Sequence, residues 1–154
     1  MKRLALTLFA DYFQFYLQDE RAKGDLSDSW TEQAVVDMLA LAPGTIGVGT
    51  VRNMNVPVVV EILDEAPSEN LDAWDHVTEC SIEIPSGRLV VAGCTDYFPD
   101  AQRIDVAPGS YRARIFYGRL DGISPNGLDG DDHYKVSLWP HKSKNPSVLK
   151  RRAP

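Results

Sequence analysis

Cysteine is scarce in this chain of 154 residues: there are two, Cys80 and Cys94. That is too few for a disulfide scaffold. Counted from Ser86-Gly87, they fall within about one residue of facing each other on the arms of an expected hairpin. A bridge is compatible with that placement, but two reduced thiols in a cytoplasmic protein are the simpler expectation. Long apolar runs are missing as well, and none approaches the roughly 20 residues of a membrane-spanning helix. Met1-Lys2-Arg3 followed by Leu4 to Ala10 mimics a signal peptide, but Asp11 ends the run. Signal peptides need about 15–30 residues and a cleavage site after small residues, so a strand is expected there. Internal repeats and low-complexity segments are absent.

Recognised chemical motifs are lacking too. Asp129-Gly130-Asp131-Asp132 invites a calcium reading, but an EF-hand loop needs a glycine at its sixth position and a glutamate at its twelfth. Counting from Asp129, those positions hold Tyr134 and Pro140, so a solvated turn is expected and no metal is assigned. His76, His133 and His141 form no cluster with the cysteines of the kind zinc requires. Cys94 could act as a nucleophile only with a histidine base and an orienting group beside it, and nothing in the spacing supplies them. A buried structural cysteine is the plainer account. Gly44-Thr45-Ile46-Gly47-Val48-Gly49 lacks the lysine of a phosphate loop and leads into a strand. These absences leave no catalytic residue and no cofactor to name.

What is present describes a folded acidic domain. Hydrophobic residues make up 44% and charged residues 25%, ordinary globular values that argue against disorder. The formal net charge of −6 is unevenly spread. All 22 acidic residues precede Pro140, while Lys142, Lys144, Lys150, Arg151 and Arg152 follow it. An acidic body repels nucleic acid and favours basic partners. The basic segment has almost no apolar content and is expected to be a flexible tail. The domain is therefore placed at residues 1–139 and the tail at 140–154.

Short apolar runs separated by Pro and Gly turns have the spacing of a β-sandwich or barrel. The alternation in Asp11 to Gln18 predicts one long first strand with Phe13 and Phe15 in the core. Ser29 to Glu32 fits a capping box, and Ala34, Val35, Met38, Leu39 and Leu41 follow at helical spacing, so one helix is expected over about 30–41. Strands are expected near 45–52, 56–64, 75–84, 88–94, 102–107, 110–119 and 132–139. Pro85-Ser86-Gly87 and Pro108-Gly109 read as tight hairpin turns. The class is all-β: an antiparallel sandwich of about eight strands with one short helix.

If successive strands are antiparallel, the longer loops 65–74, 95–101 and 121–132 share one end, opposite the turns at 53–55, 85–87 and 108–109. Those three loops carry nine acids and no lysine or arginine. Loops on a rigid sandwich are where binding residues concentrate. Asp72, Trp74, Asp96, Tyr97, Asp100, Asp129, Asp131 and Asp132 are accordingly the candidate partner-binding residues. Trp74 is the candidate aromatic anchor, although burial at the loop base would serve it equally.

Several segments, in order, resemble a known family. They are Asp11-Tyr12-Phe13-Gln14-Phe15, Trp30-Thr31-Glu32-Gln33-Ala34, Arg52-Asn53 and Pro108-Gly109-Ser110-Tyr111. Together they resemble the family of bacterial competence protein J, inhibitors of a DNA-entry nuclease, over roughly residues 11–117. Ala92 to Asp100 is similar to a segment of a group of uncharacterised bacterial proteins. The resemblance implies a non-enzymatic inhibitor of a nuclease, with no catalytic residue to carry over. The long 121–132 loop and the basic tail depart from the family and leave the identity of the partner open. The expectation is a cytoplasmic binding protein that occludes a basic partner, plausibly a nuclease. The alternative is a ligand- or cation-binding module using the same loops.

Overall fold

The computed structural model describes residues 1–153. Their strands are β1 (Lys2–Phe9), β2 (Gln14–Asp19), β3 (Leu39–Ala42), β4 (Thr45–Gly49), β5 (Asn55–Ile62), β6 (His76–Ile84), β7 (Arg88–Gly93), β8 (Gln102–Asp105), β9 (Gly109–Gly118), β10 (His133–Pro140) and β11 (Ser147–Lys150), with one helix, α1 (Glu32–Asp37). They form a six-stranded sheet ordered β1-β5-β10-β9-β6-β11 and a five-stranded sheet ordered β3-β4-β2-β7-β8. The core lies between the two sheets. Val56, Val58, Val60, Ile115, Tyr117, Val136 and Leu138 come from the first, and Phe15, Leu17, Ile46, Val48, Leu89 and Val91 from the second. The all-β sandwich is therefore as expected, with more strands than the turn signals announced.

The first strand is two strands, and the division has a cause in the chain. On β1 the side chains turned to the core are Leu4, Leu6 and Leu8; on β2 they are Phe15 and Leu17. The inward positions change from even to odd, which an unbroken strand with a two-residue repeat cannot do. Residues 10–13 absorb the phase change and carry the chain from one sheet to the other. Phe13 is consequently not in the core: it is 53% exposed, and Phe15 takes that role.

The helix is shorter than expected and starts two residues later. Thr31, not Ser29, is its cap, with Oγ1 accepting from the Ala34 N–H at 3.1 Å. Met38 ends it in a left-handed conformation (φ 60°). The apolar residues 39–42 belong to β3, which pairs with β4 through the Pro43-Gly44 turn. Pairing satisfies their backbone groups and buries Leu39 and Ala40, an outcome that helical spacing alone does not exclude.

The segment after Pro140 is a strap rather than a flexible tail. Its β11 pairs with β6, which would otherwise be an open edge. Arg112, buried in the sheet, donates to the carbonyls of Lys144 and Asn145. The turns at 85–87 and 106–108 are not hairpins either. Each carries the chain from one sheet to the other, because β6 and β7, like β8 and β9, lie in different sheets. Cys80 and Cys94 therefore do not face each other, and both are free.

With β5 running upward, β10 runs parallel to it. The 95–101 and 121–132 loops then both emerge at the lower end, as expected. So does the 50–54 turn, which the alternation argument had placed opposite. Segment 63–75 descends the outer face of the larger sheet and reaches the lower end at Trp74. The parallel pair and this crossover are what break strict alternation.

Candidate protein-binding end

The lower end is organised around the 10–13 turn. Ala10 is fully buried and its N–H donates to the Met54 carbonyl at 2.9 Å. The Thr50 N–H donates to the Phe13 carbonyl at 2.9 Å. Between these anchors Tyr12 and Phe13 both adopt left-handed φ values, 57° and 59°. For a residue with a Cβ that conformation costs about 1–2 kcal/mol, and it persists only when surrounding structure imposes it. The result is two adjacent aromatic side chains thrown outward, Tyr12 being 69% exposed.

Beside them is a cavity of about 470 Å³, lined among others by Phe13, Trp30, Val35, Met38, Val51 and Arg152. Trp30 is held there by its Nε1 donating to Gln14 Oε1 at 2.8 Å. Val35 and Val36 project from α1 and are more than half exposed. Two strained aromatics and the exposed Val35 line this half-open apolar cavity together, a patch of the kind that marks contact sites.

Acids lie at the same end as this patch, the 95–101 loop directly beside it. Asp11 Oδ2 accepts from Thr95 Oγ1 at 3.0 Å, tying the 10–13 turn to the 95–101 loop. That loop exposes Asp96, Tyr97 and Asp100. Asp96 also accepts from the Gly93 N–H at 2.7 Å, which shapes the loop. From the 121–132 loop, Asp129 and Asp131 are exposed, and Asp131 lies 3.7 Å from Arg119. Asp72 is exposed in a short turn capped by Asn70, on the descending segment.

Two of the candidates have other roles. Asp132 is fully buried, paired with Arg52 Nε at 2.8 Å and accepting from the Tyr134 hydroxyl at 2.7 Å. Burial, followed by that bond to Asp132, pushes the Tyr134 phenol well above its usual range. Asp132 thus anchors the base of the loop and cannot meet a partner. Trp74 is packed on the outer sheet face against Phe116 and His133, with Nε1 donating to Glu69 at 3.1 Å. It is the loop-base residue that was the alternative to an exposed anchor. The aromatics presented to solvent are Phe9, Tyr12, Phe13 and Tyr97, and the phase change between Leu8 and Phe15 was the signal in the sequence that would have exposed Tyr12 and Phe13.

Cations from outside the loops balance part of the acidic end. Lys135 reaches Glu69 at 2.7 Å, Arg151 reaches Asp37 at 2.9 Å and Arg152 lies 3.9 Å from Asp121. Cys94 accepts from the Tyr16 hydroxyl at 3.4 Å, and the three histidines are bonded elsewhere. Cys80 is sealed in the core, where burial pushes its thiol up to about 12. Among the described residues, no group of three or more His, Cys, Asp or Glu is placed to hold a metal ion.

The architecture defines a two-sheet β protein with a rigid scaffold and an acidic, aromatic loop end. No protein-family model matches the chain, and no curated protein matches it. Among solved structures it is similar to the crystal structure of ComJ, inhibitor of the DNA degrading activity of NucA, from Bacillus subtilis. The identity is 17%, the TM-score 0.66, and the match covers 92% of this chain and 96% of that one. It is also similar to crocagin biosynthetic gene J, at 16% identity and a TM-score of 0.57, over 91% of this chain and 96% of the other. The shared feature is the fold.

Proposed function

We propose that this chain is a non-enzymatic binding protein of the inhibitor type, which uses its lower end to occlude a basic protein in the cytoplasm, a nuclease being the class that fits best. The observation that carries this reading is the Tyr12–Phe13 pair. A fold that holds two adjacent aromatics in a strained conformation and points them at water gains no stability from doing so. The acids around them would steer a cationic partner, and the aromatics would supply the buried anchors. The likeness in fold to an inhibitor of a DNA-degrading activity supports the reading. An acidic surface of this kind also disfavours nucleic acid itself.

The test is capture of a basic protein from the source cells on the immobilised chain, followed by assay of its DNA-degrading activity. Tyr12→Ala and Phe13→Ala should each weaken capture by about tenfold or more, the scale of an interface anchor, while leaving melting temperature nearly unchanged. Undiminished capture by both variants would remove the lower end from the reading. Small-molecule binding in the 470 Å³ cavity is the second reading, favoured by a volume within the usual range for ligand sites. It would show as a rise in melting temperature with a small ligand and no captured protein.

A further inference from the structure

His76 opens β6 at the lower end and is completely buried, yet the binding reading makes no use of it. Both ring nitrogens are engaged. Nε2 lies 2.8 Å from the carbonyl oxygen of Asp37, the last residue of α1. The backbone N–H of Arg152 donates to Nδ1 at 3.1 Å. A carbonyl can only accept and an amide N–H can only donate, so the hydrogen is on Nε2 and Nδ1 is bare. The ring is therefore held neutral between the end of α1 and the end of the C-terminal strap.

Every element packed around the ring bears on its charge. From β9, Tyr117 meets it edge-on at 4.9 Å, and the Tyr117 hydroxyl donates to the Met38 carbonyl at 2.6 Å. From α1 comes the Asp37 carboxylate, already paired with Arg151. From the strap come the guanidiniums of Arg151 and Arg152, the latter near Asp121. Asp75, next in the chain, accepts from the Leu120 N–H at 2.8 Å. Burial holds the imidazole below its ordinary pKa, and the two arginines act in the same direction, against the Asp37 carbonyl and carboxylate. A proton on Nδ1 would turn the bond to Arg152 into a contact between two donors, and would add a third positive charge beside the two arginines.

We propose that His76 is a proton-operated latch: neutral, it holds Arg151 to Ala153 against the lower end, and protonated, it releases them. Release withdraws Arg152 from the wall of the apolar cavity and strips Asp37 and Asp121 of their cations, leaving the end more open and more acidic. That consequence for binding rests on the reading of the lower end as a partner surface; the latch itself does not. The sign follows from linkage. The pKa is lower folded than unfolded, so strap docking is fully stable above the unfolded value of about 6.5 and weakens as pH falls through the folded one.

The experiment is amide hydrogen exchange on the full chain at about pH 7.5 and about pH 5, corrected for the intrinsic pH dependence of exchange, with the His76 ring followed by NMR. The Arg152 amide should lose protection by about tenfold for each pH unit between the released value of about 6.5 and the folded pKa, and the loss should level off below the folded pKa. Amides paired between β6 and β9 should keep theirs. His76→Gln retains an acceptor and a donor without a titrating proton, and its strap should stay protected at both pH values. If that variant does not fold, co-titration of the ring and the Arg152 amide in the wild type decides alone. An amide that stays protected while the ring titrates, or that opens equally in His76→Gln, overturns the latch. A polyarginine probe tests the consequence, and it should bind several-fold tighter at the lower pH only to the wild type. Strap release without that gain would leave the latch standing and remove the lower end as a cation-seeking surface.

Discussion

At the scale of single residues, stability and function pull apart most clearly at Tyr12 and Phe13. Glycine suffers no penalty at left-handed φ, whereas an aromatic does. Tyr12→Gly and Phe13→Gly should therefore leave the free chain as stable as before, or up to about 1 kcal/mol more stable, the relieved strain being partly offset by greater freedom of the unfolded chain. Both should lose partner capture. Denaturant melts measure the first half. A clear loss of stability in either variant would mean that the side chain supports the fold, and would end the argument from strain. Phe15, one turn of alternation further on, is the contrasting position: it is buried against Tyr134 at 5.9 Å between ring centroids, and nothing there is available to a partner.

At the scale of elements, Arg52 and Asp132 join the 50–54 turn to the base of the 121–132 loop. Arg52 Nη1 also donates to the Leu128 carbonyl at 3.2 Å. Removing the carboxylate leaves a guanidinium that is almost wholly enclosed without its counter-charge. Asp132→Ala should cost about 3–5 kcal/mol, against almost nothing for the exposed Asp129→Ala. Equal effects in thermal melts would show that the buried pair is not what holds the loop. Asp132 also illustrates what was legible in the sequence. Strand positions from β4 to β10 could be read because short apolar runs there are separated by Pro and Gly turns or polar loops, and the loops could be read because they are acidic. Burial of one aspartate among nine loop acids could not be read, because it depends on an arginine eighty positions away in the chain. Likewise β11, four residues within a basic segment, is too short to announce itself. It exists because β6 offers it an edge, and sheet partners across 60 or more residues leave no local signature.

At the scale of the whole molecule, the charge asymmetry along the chain becomes a spatial one. The strap brings Arg151 and Arg152 back onto Asp37 and Asp121, so the basic segment moderates the acidic body instead of trailing from it. Among the exposed acids without a cation beside them are Asp96 and Asp100, in the loop that Thr95 ties to the 10–13 turn, and Asp129 at the same end. Long-range attraction from such a surface raises the rate of encounter with a cationic partner, and salt screens it, with a Debye length of about 8 Å at physiological ionic strength. Asp100→Asn, Asp129→Asn and Asp131→Asn combined remove three exposed charges without touching the Asp132 anchor or the Asp96 bond to Gly93. The triple variant should fold as well as the parent or slightly better, since these like charges repel one another. Its association with the captured partner should be several-fold slower at low salt and should converge on the parent rate near molar salt, where screening reaches about 3 Å. Dissociation should change little, because rim charges act mainly on encounter while desolvated aromatic anchors set the lifetime of a complex. Stopped-flow or surface-based kinetics across a salt series separates the two contributions. A parent association rate indifferent to salt would assign the acids to solubility alone. A triple variant that dissociated faster instead of associating more slowly would move them from the rim into the contact itself.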